Sequence, residues 1–596
     1  MAYLPIEDHG IVGNLRTAAL IGTEGTLDWL CLPRFDSPSV FAAILDDGKG
    51  GHFKLKPRNY TRSKQLYLPD TNVLLTRFLS PEGVAEVLDL MPVLERPGDR
   101  LRLVRGVRVV RGTVTLEAEC KPAFDYARQG HEVSVSKKGA LFKSRDLSLG
   151  LATNVPLANA PGDAALARFT LQEDEKAVFV LSELAGDDDG PGEPPSVEVV
   201  FGLLWEAVEY WRSWLSACTY HGRWREMVHR SALALKLMVY QPTGALVAAP
   251  TMGLPETVGG ERNWDYRYTW LRDAAFTLYA LISIGFMEEA RHFMGWLEER
   301  CRQCGETLMP LYSIDGRSEI AETELSHLSG YRGSRPVRFG NDAHTQLQLD
   351  IFGGVLDGAY LYSKHGAPLD FDTWENLHRV LDWLCDNWRQ PDEGMWEVRG
   401  GRKHFVSSKV LSWVALDRAL RISRQRGLPA DEDRWREQRN AIYWDVMKEG
   451  WDPQKKSFRQ HYGTEALDAS LLLMPLVKFV GPTDPRWLST LDRIQEELVH
   501  DNLVDRYEVG LAADDGFSSK EGSFSLCSFW LVECLTRAGR LEEARFALEK
   551  MFSYANHLGL YAEEIGPSGE ALGNFPQAFT HLSLISAAVH LDRALG

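Results

Sequence analysis

The sequence predicts a multidomain β plus α protein, in which an N-terminal antiparallel β-sandwich precedes an (α/α)6 helical barrel. Three observations predict this architecture. The chain has 596 residues, more than one ordinary domain needs. Strand patterns dominate before about residue 200, and helical periodicity dominates after it. No strand pattern alternates with the later helices, which argues against a parallel α/β sheet.

The first domain, residues 1–198, is predicted from short segments that alternate in polarity or are rich in β-branched residues. Gly, Pro and Asp separate these segments, and their close spacing favours an antiparallel sandwich. The predicted strands are 72–78, 84–91, 101–110, 113–120, 131–136 and 165–171. A stretch rich in Gly, Pro and Asp at 186–195 is predicted to be a solvated loop or linker.

The second domain, residues 222–596, is predicted from helical periodicity. An amphipathic helix over 199–218, within a linker at 199–221, is predicted to join the two domains. About twelve helices follow. Their predicted starts lie near Trp224, Trp270, Glu288, Asp342, Asp372, Ser407, Asp431, Leu467, Pro485, Glu521, Leu541 and Gln577. Twelve helices with long intervening loops suit six helical hairpins closed into a ring, with the active-site loops gathered at one end.

Composition excludes several classes of protein. The residues are 44% hydrophobic and 25% charged, and no apolar run reaches the length of about 18 residues that a membrane helix needs. The net charge of -17 disfavours general affinity for nucleic acid or anionic membranes. The first residues lack the basic and apolar segments of a secretory signal, and the eight cysteines are scattered, so we expect a cytoplasmic protein. Cys301 and Cys304 are interpreted as two unrelated thiols.

The loop 262–273 is the first candidate for chemistry. It holds four aromatic residues, three arginines and two aspartates directly before a helix. Aromatic rings offer flat apolar faces, whereas Arg and Asp supply directional donors and acceptors, and a neutral polyol can bind both. Alternatively, Arg272 and Asp273 cap the helix while the aromatic rings fill the core. The spacing alone leaves both interpretations open.

Two further loops carry carboxylates in a suggestive setting. Glu397 follows Trp396, and desolvation beside an indole ring can raise the pKa of a carboxyl, as a general acid requires. Glu563 and Glu564 follow an apolar stretch and precede a turn. In isolation, each loop also fits an exposed acidic segment.

Together the three loops resemble those of glycoside hydrolase family 15, the family of glucoamylases and trehalases. The resemblance covers essentially the whole chain, including the β-domain found in prokaryotic members. Further matching segments are 5–10, 28–38, 331–341 and 521–530. The resemblance implies a β-sandwich followed by an (α/α)6 barrel, in agreement with the periodicity.

The resemblance also implies individual roles. Trp396-Glu397 matches the dipeptide that bears the general acid, and Ala562-Glu563 matches the dipeptide that bears the general base. The residues implied in sugar binding are Tyr266, Tyr268, Trp270, Arg272, Asp273, Trp396, Arg399 and Glu564.

Two departures from the fungal glucoamylases concern the sugar site. Val398 stands where those enzymes have a second glutamate, and Arg399 is expected to serve nearby instead. Glu564 stands where they have glutamine. Both departures leave the identity of the leaving group open.

We therefore expect an inverting, exo-acting α-glucoside hydrolase that releases a terminal glucose, with trehalose as the preferred small-molecule substrate. Glu397 would protonate the glycosidic oxygen, and Glu563 would activate water on the opposite face of the sugar. No metal or other cofactor is expected, nor a nucleic-acid or membrane partner, and homo-oligomerisation is left open. The alternatives are glucoamylase-type hydrolysis of maltooligosaccharides or other α-glucans, and a non-catalytic sugar-binding barrel.

Overall fold

The structure is a computed structural model of the chain. It describes residues 3–93, 100–184, 190–193, 196–304, 307–512, 514–517 and 521–596. Most of the predicted solvated loop at 186–195 lies outside the described residues.

Fifteen antiparallel strands form the N-terminal domain in the described part of the chain. In chain order, β1 to β15 are His9–Gly13, Ala18–Gly22, Thr26–Cys31, Ser39–Phe41, His52–Pro57, Arg62–Tyr67, Leu74–Leu79, Gly83–Leu90, Arg102–Lys121, Glu132–Ser136, Gly139–Lys143, Ser148–Thr153, Ala158–Ala160, Ala164–Gln172 and Lys176–Leu184. The rings of Phe53 in β5 and Phe179 in β15 meet edge to face with centroids 6.2 Å apart, so the two halves of the sheet pack on each other.

The long strand β9 connects the two halves of this domain. Its first half pairs with β8 and β15, and its second half pairs with β5 and β14. Gly112 lies between the halves at φ +73°, and a Cβ there would lie 2.1 Å from the carbonyl oxygen of Glu82. Only glycine fits such a position. The sequence predicted two strands separated near Gly112, whereas the structure joins them into one continuous strand.

Thirteen helices of four or more residues with helical geometry throughout follow the sheet in the described chain. The helix α1, Val197–Leu215, corresponds to the predicted joining helix. In chain order, α2 to α13 are Arg225–Met238, Ala274–Ser283, Met287–Gln303, Asp350–His365, Phe371–Asn387, Val406–Arg426, Glu432–Glu449, Leu473–Leu476, Pro485–Glu497, Ser525–Arg537, Leu541–Phe552 and Ala578–Leu595. None of the helices within the described residues is long and apolar enough to cross a membrane.

The predicted ring of six helical hairpins is confirmed. Helices α3, α5, α7, α9, α11 and α13 form the inner ring, in which each contacts the next and α13 closes on α3. The even-numbered helices α2 to α12 alternate with them along the chain and pack outside. The loops that precede the inner helices lie at one end of this ring, and the candidate active site is there.

Four predicted helix starts were too early. Those near Trp270 and Leu467 precede α3 and α9, because a 3-10 turn comes before each helix. The sequence predicted starts near Asp342 and Glu521, whereas α5 begins at Asp350 and α11 begins at Ser525. Before α5, the backbone N–H of Leu349 donates to Asp392 instead of entering a helix. Before α11, Ser523–Phe524 forms a short strand. In both places a tertiary contact outcompetes the local helical preference.

The loop 262–273 is anchored to the β-domain by one buried ion pair. The guanidinium of Arg267 donates to both carboxylate oxygens of Asp265 at 2.8 and 2.7 Å, and both side chains are fully buried. Arg267 also donates to the carbonyl of Ser37 at 2.7 Å and to the hydroxyl of Tyr126 at 2.8 Å, both in the β-domain. The β-domain therefore supports a loop of the candidate active site.

We expect Arg267→Met to lower the free energy of unfolding by about 3–5 kcal/mol, because the carboxylate of Asp265 would stay buried without its partner. The matched control is Arg291→Met, which removes an exposed ion pair with Glu288 and should change the free energy by less than about 0.5 kcal/mol. Denaturant unfolding of the full chain measures both. Equal effects of the two substitutions would contradict this account of the anchor.

Candidate active site

One cavity at the loop end of the ring gathers most of the predicted site. The predicted residues that line it are Tyr266, Trp270, Arg272, Asp273, Trp396, Glu397, Arg399 and Glu563. Apolar side chains of Leu526 and Phe579 complete part of its wall. The cavity thus combines carboxylates, cations and aromatic faces, as the binding of a sugar requires.

Glu397 lies on a tight turn with an unusual backbone conformation. Its φ is +59°, in the left-handed region that non-glycine residues rarely adopt, and its N–H donates to the carbonyl of Gly394. The indole N–H of Trp270 donates to Glu397 Oε1 at 2.6 Å, and Arg272 Nη1 lies 3.4 Å from the same oxygen. A strained backbone at a cavity wall is a frequent property of functional residues.

Glu563 is almost completely buried, with 1% of its surface exposed. Burial, together with the nearby charge of Glu256, raises the pKa of Glu563. Tyr266 lies beside this carboxyl, and Oε2 is buried with no hydrogen-bond partner among the described residues. Gly573 leaves room for the carboxyl, because a Cβ there would lie 2.5 Å from Oε2.

Arg272 and Asp273 line the cavity instead of capping the following helix. Asp273 is the residue before α3, but its side chain makes no capping hydrogen bond. Arg272 Nη1 donates to the carbonyl of Met395, and its Nε lies 3.5 Å from Asp273 Oδ1. Burial raises the pKa of Asp273 to about 6. This geometry supports the sugar-binding interpretation over the capping one.

Two predicted sugar ligands do not reach the cavity. Tyr268 is 7% exposed and packs with Trp270 and Leu311 in a small apolar cluster behind the wall. Glu564 is fully buried and accepts a hydrogen bond from the backbone N–H of Gly522 at 2.7 Å. Glu564 lies instead in a group of carboxylates with Glu256 and Glu521. Neither residue is among those that line the cavity, and their contacts with a sugar stay predictions.

A buried charge cluster beside Glu563 was missed from the sequence. Arg506 lines the cavity, pairs with Glu521, and places Nη2 3.6 Å from Glu256 Oε2. Glu256 also accepts a hydrogen bond from the indole N–H of Trp264 at 2.8 Å. No short motif marks these residues, because they come from two distant segments of the chain, 256–264 and 506–521.

The carboxylates of Glu256, Glu521 and Glu564 approach one another closely, with one oxygen of each within 4.8 Å of the others. Guanidinium groups supply positive charge there, since Arg262 Nη1 lies 3.4 Å from Glu521 and 3.9 Å from Glu256, and Arg506 lies beside both. Burial raises the pKa of both Glu256 and Glu564. Two arginines therefore offset part of this negative charge, and burial favours the protonated forms of Glu256 and Glu564.

Comparison with known proteins agrees with the fold and the cavity. The family description "Glycosyl hydrolases family 15" matches residues 222–589, and the description "Trehalase-like, N-terminal" matches residues 2–162. A solved bacterial glucoamylase complexed with acarbose superposes with a TM-score of 0.74 at 13% identity, over 100% of this chain and 94% of that one. This similarity shows a shared fold.

Relatives in sequence extend over both domains. The trehalase of Mycobacterium tuberculosis is 41% identical over 99% of this chain and 90% of its own. The trehalase of Thermoplasma volcanium is 38% identical over 100% of this chain and 94% of its own. The fold and the carboxylate-lined cavity are those of a glycoside hydrolase. The chain belongs to glycosyl hydrolase family 15.

We expect Arg506→Gln to destabilise the protein by about 3–5 kcal/mol, because it leaves buried carboxylates less compensated. The pKa of Glu256, already raised, should rise further. A carboxyl whose pKa is higher in the folded than in the unfolded state makes the folded protein less stable as the pH increases. The deficit relative to wild type should therefore widen between about pH 5 and pH 8.

The free energy of unfolding, measured at about pH 5 and about pH 8, tests whether the deficit of Arg506→Gln widens. The control is Arg545→Gln, which removes an exposed pair with Glu549 and should cost less than about 0.5 kcal/mol at either pH. A deficit of Arg506→Gln that shrinks with rising pH would contradict the charge balance described.

Proposed function

We propose that this family 15 hydrolase cleaves trehalose by inversion, as an exo-acting enzyme that releases a terminal glucose. The observation that carries the proposal is the single cavity lined by Glu397 and Glu563 together with Arg272 and Asp273. The names of the relatives that match almost the whole chain point to trehalose as the substrate.

Glu397 is proposed as the general acid. Trp270 donates to Oε1 and Arg272 lies beside the same oxygen, so these contacts fix the orientation of the carboxyl. Oε2 is then the oxygen that carries the proton and delivers it to the glycosidic oxygen. Such proton transfer lets the glucose leave as a neutral sugar.

Glu563 is proposed as the general base that activates the attacking water. Its raised pKa makes the ionised form a stronger base than an exposed glutamate. The positive charge of Arg506 favours that ionised form. Tyr266 lies beside the carboxyl. Oε2 is buried against Gly573, so Oε1 is the oxygen proposed to accept a proton from water.

Arg272 and Asp273 are proposed to hold hydroxyl groups of the terminal glucose. Both side chains are largely buried, so a sugar hydroxyl that bonds them replaces contacts that water would otherwise make. The rings of Trp270 and Trp396 line the same cavity and offer apolar faces to the sugar.

The domain boundaries remain part of this proposal: a β-domain at 1–198, a helical linker at 199–221 and a catalytic barrel at 222–596. The position of α1, Val197–Leu215, and the family match that begins at residue 222 support them. The cytoplasmic location and the lack of a nucleic-acid partner stay predictions from charge and composition.

The purified protein should release glucose from trehalose without an added cofactor.

Glu397→Gln should lower kcat by at least about 10²–10⁴-fold, because the amide has no acidic proton to transfer to the glycosidic oxygen. Glu393→Gln is the matched control. Glu393 bonds the backbone N–H of Leu347 and Arg402 and does not line the cavity, so activity should persist. No release from trehalose, maltose, isomaltose or dextrins would favour a sugar-binding barrel. Release from dextrins alone would favour a glucoamylase-type enzyme.

The stereochemistry of the first products gives a sharper test. In a single displacement by water, the attacked glucose of trehalose emerges as β-glucose and the departing one as α-glucose. NMR of the anomeric protons at early times should therefore show equal amounts of both. Initial formation of α-glucose alone would mean retention, and would exclude Glu563 as the base of a single displacement.

A further inference from the structure

Three side chains close one side of the cavity beside the loop that carries Glu397. Trp264, Arg399 and Phe517 all line the cavity, and we refer to them as the rim cluster. The guanidinium carbon of Arg399 lies 4.6 Å from the centroid of the Trp264 ring. The rings of Trp264 and Phe517 meet edge to face with centroids 5.2 Å apart. These contacts form a continuous wall.

Charged contacts hold the rim cluster in place. Arg399 Nη2 donates to Glu322 Oε2 at 2.7 Å, and Nη1 lies 3.3 Å from Oε1, so the pair is bidentate. Arg338 binds Glu322 at 3.1 Å, and its guanidinium carbon lies 5.2 Å from the Trp264 ring. The indole is thus flanked by two guanidinium groups. Bidentate charge-assisted pairs fix geometry strongly.

The backbone supports the same wall. The N–H of Arg399 donates to the carbonyl of Asp515 at 3.2 Å. At Gly400, a Cβ would lie 1.9 Å from the carbonyl oxygen of Asp514, so the two loops touch with no space for a side chain. Phe517 is therefore held against the acid loop by contacts on both its sides, since Arg262 also lies 5.0 Å from its ring.

The rim cluster lies on the side of the cavity that the leaving group would occupy. Under the proposed function, on which this inference rests, Arg272 and Asp273 hold the terminal glucose. Glu397 protonates the oxygen that joins this glucose to the leaving group. The leaving group consequently lies on the Glu397 side of the cavity, and Arg399 is only two residues from Glu397.

We propose that the rim cluster determines substrate length, by restricting the leaving-group site to a single sugar ring. Under this proposal a disaccharide fills the space between Arg272 and the rim cluster, and a second ring on the leaving group would collide with Arg399 and Phe517. The protein is thereby a disaccharide hydrolase that excludes α-glucan chains. The specificity is steric, because ion pairs fix the wall and the wall cannot move aside without breaking those ion pairs.

Two pairs of substrates test this proposal. Trehalose and glucosyl-trehalose differ by one glucose. Removal of a terminal glucose from either end of the trisaccharide leaves a disaccharide, so the leaving group has two rings. Maltose and maltopentaose form a second pair that does not depend on trehalose. For the wild type, kcat/KM should be at least about tenfold lower for the longer member of the pair that is hydrolysed.

Phe517→Ala and Arg399→Ala should each raise the ratio of kcat/KM for the longer to the shorter substrate by about tenfold, mainly through a lower KM for the longer one. A role confined to folding would not produce this gain. If the alanine variants do not fold, Phe517→Leu and Arg399→Gln replace them. We then expect a smaller rise in the ratio of kcat/KM for the longer to the shorter substrate. The matched control is Phe546→Ala on α12, where the ring is 63% exposed on the outside of the barrel, and its ratio should equal that of wild type.

The outcomes separate this inference from the proposed function. An active enzyme whose folded rim variants keep the wild-type ratio overturns the inference alone. A wild-type enzyme that hydrolyses both members of a pair equally well also overturns the inference and leaves the proposed function intact. A wild type that releases glucose from neither pair overturns the proposed function, and the inference with it.

Discussion

The buried ion pair between Asp265 and Arg267 is the contact on which the site geometry depends. It occupies the middle of the loop that supplies Tyr266, Trp270 and Arg272, and Arg267 fastens that loop to carbonyl groups of the β-domain. A loop without such an anchor would place these side chains loosely. Precise placement matters, because an error of about 1 Å in a catalytic group can cost about 100-fold in rate. The β-domain therefore fixes the position of a loop that lines the candidate active site.

Charge balance is the second constraint on the cavity. Glu563, the proposed base, shares its surroundings with Glu256, Glu521 and Glu564, and so many buried carboxylates cannot all be ionised without partners. Arg262 and Arg506 lie between them. The same arginines contact aromatic rings of the cavity wall, so the groups that balance the charge also shape the space for the sugar.

Much of the fold could be predicted from local patterns. The twelve helices of the barrel and six strand segments between residues 72 and 171 follow from periodicity, because an amphipathic element records in its sequence which face it buries. Strands β1 to β6, β11 to β13 and β15 were not predicted from the sequence. The errors lie where distant segments compete with local preference. Strand β9 runs through Gly112 since it pairs with four different strands, and α5 begins only at Asp350 since Asp392 binds the backbone before it.

The sequence by itself determined the order of the elements, the family, and the three loops in which chemistry was expected. Glu397 and Glu563 could be named in advance because each belongs to a short recognisable segment. Tertiary structure alone decided that both line one cavity, that Glu564 and Tyr268 are not among its lining residues, and that Arg506 belongs to it. The physical reason is that facing direction and partnership between distant residues depend on packing, and a linear pattern contains neither.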